Sequence, residues 1–410
     1  MGMIINIDQA LKNHNEFNIL GEPLHQMLRD RQEAWEKENP IDLLFVRGTL
    51  STFQETYTSS IGFAHAFAET GDYAVGPIFN TASGFSATYT TRTFQGGFII
   101  SKQVLEDRQL GKVKDEATAF QKRWHGDIVE YCMKCLEGAF GKETTWGSAA
   151  NGGISRIKLE SADTSDGDVR TSTKNPLFSK AHTIVKRDGM TDAEVTAAHQ
   201  SNLFYADLNI IGTDAARYAK LADVINQVIT NMENYKDDNG KIAGLTGQKT
   251  IVAANDPQLK RAIETVLAMD MFKQGESEAV NPAYKRAVLA TTPYLNDIAP
   301  CAIDATKKFS RGFFIVDKAY MAENHGLEFT ERIPFTLDAI ETKRPYGITY
   351  DGRQRFDVNV ASWRGIAYVY IGTPSTTSGD WNHSSKFTTI ATADTVSYNV
   401  NNVNNITPEA

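Results

Sequence analysis

The 410-residue chain contains only three cysteines, no apolar run long enough to cross a membrane and no surplus of basic residues. Three cysteines do not form a disulfide framework in a chain of this length, so we expect it to fold in a reducing cytoplasm. A membrane helix needs roughly 18 consecutive apolar residues. The net charge of −8 argues against tight nucleic-acid binding, because phosphate contacts need clustered lysine and arginine. The first residues also lack the basic region and apolar core of a signal peptide.

Motifs for nucleotide or calcium binding are incomplete. Residues 244–250 resemble a phosphate-binding loop, but Gln248 separates the glycine from the lysine and the run leads into a strand rather than a helix. Asp163, Asp166 and Asp168 miss the spacing of a calcium loop and lack its closing glutamate. We interpret the first run as structural and the second as a solvated loop.

One cysteine pair has the spacing of a metal or redox motif. Cys132 and Cys135 lie two turns after His125 on one predicted helix. No second ligand pair completes a zinc site, and a redox pair needs a strand–turn–helix context that is absent here. We therefore expect packed, neutral thiols. We expect no catalytic, cofactor-binding or metal-binding residue and no cofactor, so the chain is predicted not to be an enzyme.

The stretch from Val75 to Ser101 is 27 residues long and carries one charge, Arg92. Its five aromatic residues are Phe79, Phe85, Tyr89, Phe94 and Phe98. Residues 85–94 and 98–101 have the composition of strands and predict a two-stranded extended arm. Ordering this stretch costs on the order of 27 kcal/mol, whereas burying five aromatics returns only about 2–3 kcal/mol each. We therefore expect a neighbouring copy of the same protein to cover the arm.

The strongest helical pattern covers residues 112–140. Apolar side chains recur there at every third or fourth position: Val113, Ala117, Phe120, Trp124, Ile128, Tyr131, Cys135 and Ala139. At 1.5 Å per residue this helix would be about 43 Å long, enough to span most of a domain. Ordinary core packing is sufficient to explain the pattern. We expect four of these side chains to pack the helix against the body: Phe120, Trp124, Ile128 and Tyr131.

Capping residues and alternating patterns place the remaining elements. Asp256 and Pro257 begin one helix, and Asp317 caps a shorter one. The predicted elements are a helix at 214–235, strands at 250–254 and 311–316, and several strands between 327 and 371. This mixture predicts an α+β fold.

Three stretches predict peripheral structure. Residues 1–45 hold one modestly amphipathic helix near 24–37 and are expected to form an arm rather than a domain. Residues 147–188 turn polar and glycine-rich, which predicts a surface loop. Residues 373–410 are rich in Thr, Ser and Asn with few large apolar groups, which predicts a flexible polar tail.

Four short motifs follow one another along the chain. They are Phe98-Ile-Ile-Ser-Lys-Gln-Val-Leu-Glu-Asp107, Ile251-Val-Ala-Ala-Asn-Asp-Pro257, Arg311-Gly-Phe-Phe-Ile-Val-Asp317, and Arg355-Phe-Asp-Val358 followed by Ala367-Tyr-Val369. In order and spacing they resemble the major capsid proteins of tailed bacteriophages, whose fold is shared with encapsulins. The resemblance spans roughly residues 45–372.

The resemblance implies how the chain is divided. The implied parts are an N-terminal arm (1–45), a peripheral domain (46–69, 102–210 and 327–372) with a spine helix (112–140), an extended β-hairpin loop (70–101), an axial domain (211–326) and a polar C-terminal tail (373–410). In this family the extended loop lies over an adjacent subunit. The inter-subunit contacts so implied are Phe79, Phe85, Tyr89, Arg92, Phe94 and Phe98.

The resemblance also implies a function. It is that of a structural protein that self-assembles through hexamers and pentamers into an icosahedral shell enclosing double-stranded DNA, in the virion and first in the cytoplasm of a bacterial host. The implied partners are further copies of the chain, a separate scaffold protein, a portal and a decoration protein, with no sequence-specific DNA contact and no membrane. Some members join subunits covalently through a lysine of the extended loop. No lysine lies between Gly71 and Ser101, so we expect a non-covalent shell.

Three other readings stay open. An encapsulin-like compartment uses the same fold, although residues 147–188 and 373–410 make this chain larger than such a compartment needs. A soluble enzyme with an unrecognised site is a second alternative. The Thr-, Ser- and Asn-rich tail would also suit an adhesin or sugar-binding surface protein, against which the missing signal peptide counts.

Overall fold

A computed structural model describes residues 4–6, 30–35, 37, 39–60, 78, 83–101, 110–147, 154–157, 159–164, 174–186, 190–208, 215–274, 277–302, 311–343 and 346–390. These residues form two larger sheets, four two-stranded sheets and several helices, so the fold is α+β as expected. The α-helices are α1 (Leu110–Gly138), α2 (Asp192–Ala197), α3 (Ala215–Glu233), α4 (Pro257–Ala268) and α5 (Lys318–Glu323). Short 3₁₀ helices cover Pro40–Leu43, Pro293–Leu295 and Ser384–Lys386.

The strands are distributed along the whole chain. They are β1 (Ile4–Asn6), β2 (Val46–Thr49), β3 (Gln54–Ser60), β4 (Ser83–Thr90), β5 (Arg92–Ser101), β6 (Thr144–Trp146), β7 (Ile154–Ile157), β8 (Glu160–Thr164), β9 (Lys174–Pro176), β10 (Leu203–Ala206), β11 (Lys249–Ala254), β12 (Met271–Gln274), β13 (Ser277–Val280), β14 (Ala287–Thr292), β15 (Arg311–Asp317), β16 (Leu327–Lys343), β17 (Tyr346–Val360), β18 (Ile366–Ile371) and β19 (Thr388–Thr389).

The first sheet has the strand order β1-β16-β17-β5, and β2 pairs separately with β16. Strands β16 and β17 form a long antiparallel hairpin closed at Lys343 and Tyr346. Strand β5 runs antiparallel to β17, from Arg92 opposite Phe356 to Ser101 opposite Gly347, without a shift in register. Helix α1 contacts this sheet through its aromatic side chains. These elements surround the candidate site.

The second sheet has the order β14-β11-β15-β18-β10-β19 and mixes parallel and antiparallel pairs. Every residue of β18 is buried, as expected for a strand covered on both faces. Side chains of this sheet share one continuous apolar core with helices α1, α3 and α4. The sheet joins residues on both sides of the predicted boundary between positions 326 and 327, because β18 pairs with β15.

The helices predicted at 112–140 and 214–235 are confirmed to within two residues at each end. Of the helix predicted near 24–37, residues 30–35 and 37 are helical, and the remaining residues lie outside the described ones. Helix α1 spans 29 residues from Leu110 to Gly138. Asp256 caps α4 by accepting hydrogen bonds from the backbone N–H groups of Gln258 and Leu259. Asp317 caps α5 in the same way by accepting from Tyr320 N at 3.1 Å. Local patterns were sufficient here because caps and 3.6-residue periodicity depend on neighbours in sequence.

The predicted pairing within the extended arm is wrong. Strand β4 pairs with the preceding strand β3, and β5 pairs with β17. The chain changes from one sheet to the other at Thr91. The run Gln95-Gly96-Gly97, predicted to separate two strands, continues β5. The partner of β5, strand β17, lies more than 200 positions away along the chain, and no local turn signal reports it.

Part of the predicted polar tail belongs to the core. Strand β19 pairs with β10, and Phe387 and Ile390 are buried. Phe387 lies against Tyr370, with ring centroids 5.6 Å apart. The prediction of a flexible tail is therefore wrong for residues 373–390, because two apolar side chains are enough to anchor this short stretch. Residues 391–410 lie outside the described residues.

The other two peripheral stretches also contribute to the body. In the predicted surface loop 147–188, Leu177, Phe178 and Ile184 are buried. In the predicted N-terminal arm, Leu44 and Phe45 are buried in the main core. Both predictions are wrong for these portions, since short apolar clusters within polar surroundings escaped the composition argument. Within the described residues, no helix is both long and apolar enough to cross a membrane.

Candidate assembly site

Strands β3 and β4 form an antiparallel ribbon that we call the arm. Its register runs from Gln54 opposite Thr90 to Thr58 opposite Ser86. One face carries Ser and Thr side chains, with the hydroxyl oxygens of Thr56 and Thr88 3.3 Å apart. The opposite face of β4 is buried in a small satellite cluster containing Leu50, Phe85, Ala87, Tyr89 and Val185. The arm therefore has a core of its own within the chain.

The inner end of the arm is fixed to the body at a cluster that we call the arm base, formed by Tyr57, Tyr89, His325 and Glu328. Tyr89 Oη donates a hydrogen bond to the carbonyl oxygen of His325 at 3.2 Å. The ring of Tyr57 lies 4.3 Å from the ring of His325. His325 Nδ1 lies 3.1 Å from Glu328 Oε1, and burial raises the pKa of Glu328. The ring of Tyr57 and the hydrogen bond from Tyr89 thus hold β3 and β4 on the body.

Asn359 and Glu55 add polar contacts at the same end of the arm. Asn359 accepts a hydrogen bond from Thr90 N at 3.4 Å and donates one to Thr90 O at 3.2 Å. At the start of β3, hydrogen bonds from Ser51 and the backbone of Thr52 lower the pKa of Glu55 to about 2. These bonds fix the turn that leads into the arm. The inner end of the arm is consequently attached to the body by both aromatic and polar contacts.

Arg92 and Asp357 connect the next strand to the body. Arg92 Nε donates to Asp357 Oδ2 at 3.0 Å, and Tyr131 Oη donates to Asp357 Oδ1 at 2.6 Å. Burial raises the pKa of Asp357, while the bonds from Tyr131 and Arg92 act in the opposite direction. A buried carboxylate needs such partners. The arrangement joins β5, β17 and α1 at one point.

The aromatic residues of β5 pack on this chain. Phe94 stacks on Phe356 with ring centroids 4.3 Å apart, and Phe98 stacks on Tyr350 at 4.9 Å. Phe98 also contacts Phe120 of α1 at 5.0 Å. The expectation that these rings lack cover in their own chain is therefore wrong. It is also wrong for Phe85 and Tyr89, which are almost fully buried.

The neighbour contacts predicted for the extended loop thus have different outcomes. Phe85 and Tyr89 are used internally and do not offer a surface. For Arg92, Phe94 and Phe98, which are half-buried, contact with a neighbouring copy stays a prediction. Phe79 and most of residues 61–82 lie outside the described residues.

Helix α1 carries the four side chains that the sequence assigns to packing. Ile128 and Tyr131 are buried, and Phe120 and Trp124 are half-buried. Trp124 lies 4.8 Å from Phe335 between ring centroids, and its Nε1 donates to Gln354 Oε1 at 2.8 Å. The helix therefore supports the sheet that contains β5 from one face.

The opposite side of β5 is open. Thr93, Gln95, Gly97 and Ile99 are exposed in alternation with covered residues. Within the described residues, β17 occupies one edge of β5 and no strand pairs with the other, which we call the β5 edge. Residues 93–101 contain no charged residue and no proline. This is a regular ten-residue strand with unpaired backbone groups along one side.

The candidate chemical groups are buried in structural roles. Cys132 and Cys135 are free and fully buried, and burial raises both thiol pKa values well above the usual value, which confirms packed, neutral thiols. His125 stacks on Trp35 at 4.1 Å, and burial lowers its pKa to about 4. Lys249 of the glycine-rich run is buried against Asp317. Across the described part of the chain, no cluster of three or more His, Cys, Asp or Glu side chains is suited to hold a metal ion.

Of the predicted acidic loop, Asp163 lies in β8. Asp166 and Asp168 lie outside the described residues.

Sequence reasoning missed most of the anchoring residues. His325 and Asn359 contact the arm residues Tyr89 and Thr90, which lie 236 and 269 positions away. Asp357 contacts Arg92 of β5, which lies 265 positions away. A local motif cannot report such pairs. The only signal available was the alternation of polar and apolar residues in 353–360, which predicts a strand but not its partner.

No family model matches the chain, and no curated protein sequence matches it. Among solved structures, it is similar to a structure described as Mycobacterium phage Patience, with 12% identity, a TM-score of 0.42 and coverage of 94% of this chain and 97% of that chain. It is similar to a virus-like particle from Pyrococcus furiosus, with 8% identity, a TM-score of 0.39 and coverage of 87% and 100%. It is also similar to the capsid of a native GTA particle, with 11% identity, a TM-score of 0.37 and coverage of 81% and 90%.

Proposed function

We propose that this chain is a structural subunit that assembles with copies of itself, through hexamers and pentamers, into an icosahedral shell enclosing double-stranded DNA. The observation that carries the proposal is the β5 edge at the root of the arm. The role is structural rather than enzymatic. The shell would belong to a virion and form in the cytoplasm of a bacterial host.

The β5 edge supports self-association because monomeric proteins normally protect exposed edge strands against pairing with other chains. Lysine, proline, bulges or irregular pairing make an edge strand unattractive to other strands. Residues 93–101 have no charge and no proline, and the register with β17 has no bulge. An uncharged strand of this length is a template for another extended segment. We propose that this segment belongs to a specific partner, which is a further copy of the chain.

The anchored arm supports the same function. Contacts at Tyr57, Tyr89 and Asn359 hold its inner end, so its direction relative to the body is fixed. A projection whose inner end is already held loses less entropy on binding a neighbour than an unattached loop does. Copies related by rotation would then meet through different surfaces, which allows rings to close.

The charge of the chain fits a container for DNA. A net charge of −8 does not favour phosphate binding, so enclosed DNA would contact the wall without sequence-specific recognition. Packaging would therefore rely on partners, which we propose to be a separate scaffold protein, a portal and a decoration protein.

The first test is the size of the purified protein. We expect light scattering after size-exclusion chromatography to give pentamers, hexamers or closed particles, which negative-stain microscopy would image directly. A monomer at tens of micromolar, at both low and moderate salt, would contradict the proposal. Particles purified from cells would then be treated with nuclease and opened. Protected double-stranded DNA supports the viral shell, whereas particles that protect none favour an encapsulin-like compartment.

A further inference from the structure

His125 connects α1 to a short helix near the start of the chain, which we call the N-terminal helix and which is formed by residues 30–35 and 37. His125 Nε2 lies 2.7 Å from Gln32 Oε1, and the ring stacks on Trp35 with ring centroids 4.1 Å apart. Gln32 and His125 are buried and Trp35 is half-buried, whereas the other residues of this helix are exposed. The N-terminal helix therefore faces α1 through two side chains, and both contact one imidazole ring.

The contact with Gln32 requires a neutral ring. The carbonyl oxygen of Gln32 can only accept a hydrogen bond, so Nε2 of His125 carries the hydrogen and Nδ1 is bare. Protonation of Nδ1 would create a charged N–H group in a buried place, where no acceptor contacts it among the described residues. Burial accordingly lowers the pKa of His125 to about 4. The face of Trp35 attracts a cation, which offsets part of this cost.

The charged side chains around this contact are exposed or already paired. On α1, Lys122 is exposed and Arg123 pairs with Asp127 at 2.7 Å. In the 3₁₀ helix that contacts α1, Asp42 pairs with Arg47 at 2.8 Å. Burial is the cause of the lowered pKa of His125, and no charged neighbour contributes to it. The charged residues of the N-terminal helix itself are all exposed: Asp30, Arg31, Glu33 and Lys37.

The chain that follows the N-terminal helix is fixed independently of His125. Asn39 Oδ1 accepts a hydrogen bond from the backbone N–H of Ile41 at 3.0 Å. Ile41, Leu44 and Phe45 are buried in the main core. A helix as short as the N-terminal helix is unstable in water by itself, so it depends on its contact with α1. If that contact is lost, the helix unravels while the core from Asn39 onwards stays in place.

We propose that His125 makes the attachment of the N-terminal helix sensitive to acid: the neutral ring holds the helix on α1, and the protonated ring releases it. This inference concerns a movement within one subunit and does not depend on the proposed function. Release restores the ordinary pKa of 6.5, in place of about 4 in the attached state. The attached state is therefore fully favoured above pH 6.5 and loses this advantage as the pH falls towards 4. Between pH 7 and pH 5, the equilibrium constant for attachment should fall about 20-fold.

Hydrogen exchange measured by mass spectrometry on the full chain tests the inference. Exchange at pH 7 and pH 5 is converted to protection factors, which removes the effect of pH on the chemical exchange rate. We expect the protection of the N-terminal helix to fall about 20-fold, while residues 128–136 of α1 keep theirs. Unchanged protection of the N-terminal helix would overturn the inference. An equal fall in both segments would also overturn it, because the subunit then opens as a whole.

Two variants assign the effect to the ring of His125. His125→Gln has no titrating group at this position, so the protection of its N-terminal helix should be the same at both pH values. Lys122→Gln is the matched control, because it removes an exposed charge one turn earlier on α1 and should keep the fall seen in the parent chain. A fall of the same size in His125→Gln would show that another group is responsible.

A second measurement needs no variant and therefore does not depend on how the variants fold. Exchange of the C2 hydrogen of the imidazole, followed in a peptide that contains His125, gives the pH at which this ring is half protonated in the parent chain. We expect that midpoint to lie well below 6.5, because the attached helix keeps the ring neutral. A midpoint at 6.5 would overturn the inference, since the ring would then be open to water with the helix attached or absent.

Discussion

Lys249 Nζ lies 2.7 Å from Asp317 Oδ2, and both side chains are buried. The same ammonium group donates to the carbonyl oxygens of Leu245 and Gly247, so each of its three hydrogens has an acceptor. Asp317 also accepts the hydrogen bond that caps α5. The pair therefore joins the end of the glycine-rich run 244–250 to the start of a helix, which gives this run a structural role.

Lys249→Met should lower the free energy of unfolding by about 3–5 kcal/mol, because it leaves the Asp317 carboxylate buried without its cation. Lys260→Met is the matched control. Lys260 pairs with Glu264 at 3.8 Å on the surface, and such pairs contribute about 0–1 kcal/mol. Denaturant unfolding of the two variants measures the difference. Equal midpoints would show that the buried pair does not stabilise the fold.

His125 should make stability depend on pH. Burial lowers its pKa from 6.5 to about 4, so the folded chain favours the neutral ring. The stabilisation that comes from keeping the His125 ring neutral is fully present above pH 6.5. It is lost as the pH falls towards 4, because the ring is protonated more easily in the unfolded chain than in the folded one. The full loss is about 3 kcal/mol at 1.36 kcal/mol per pKa unit.

The test of His125 compares how steeply the free energy of unfolding changes with pH, rather than its value at a single pH. Unfolding measured between pH 7 and pH 4 should show a smaller decrease for His125→Gln than for the parent chain. A parent-like slope in His125→Gln would refute the assignment.

Gly312 should not tolerate a larger side chain. An added Cβ would overlap the hydroxyl and ring of Tyr368, which is buried and donates to the carbonyl oxygen of Pro300. Gly312→Ala should therefore destabilise the chain by about 1–3 kcal/mol through overpacking. Gly126→Ala is the control. A Cβ at Gly126 in α1 meets no atom within 4 Å, so it should stabilise by about 0.5–1 kcal/mol. Thermal melting distinguishes the opposite signs.

Shortening the arm should separate folding from assembly. Ser60 lies opposite Ser83, so a two-residue Asn-Gly turn in place of residues 61–82 would close the hairpin. Phe85 and Tyr89 remain in place, and we expect an unchanged melting curve with loss of hexamers and particles. The control replaces residues 61–82 with a glycine–serine segment of the same length, which changes the sequence of the arm but keeps its length. Normal particles from the shortened chain would exclude residues 61–82 from assembly.

Local patterns predicted the helices well and the strand pairing poorly. Apolar spacing gave α1 within two residues at each end, and Asp256 and Asp317 were identified as caps because capping depends on near neighbours. The contact that anchors β4 to the body was not predictable, since it joins Tyr89 to His325, 236 positions away.

At the candidate site too, local features were predictable from the sequence and long-range contacts were not. The sequence shows Arg92 as the single charge in its stretch. It does not indicate the partner, because Asp357 is 265 positions away. From the sequence alone, the five aromatic residues are predicted to lack cover within their own chain. Strand β17 and helix α1, which cover Phe94 and Phe98, are distant in sequence or have no predicted contact with them. The anchoring of residues 373–390 was missed because Phe387 and Ile390 are too few to alter the average composition.

Thr91 is the one residue between β4 and β5, so the two strands are nearly a single run of backbone that belongs to two sheets. Tension applied to the arm would pass along covalent bonds into β5. From there it would reach β17 through the backbone hydrogen bonds between the two strands, and α1 through the contact of Phe98 with Phe120. Pulling on the arm would therefore strain the longest hairpin and the longest helix of the described residues together.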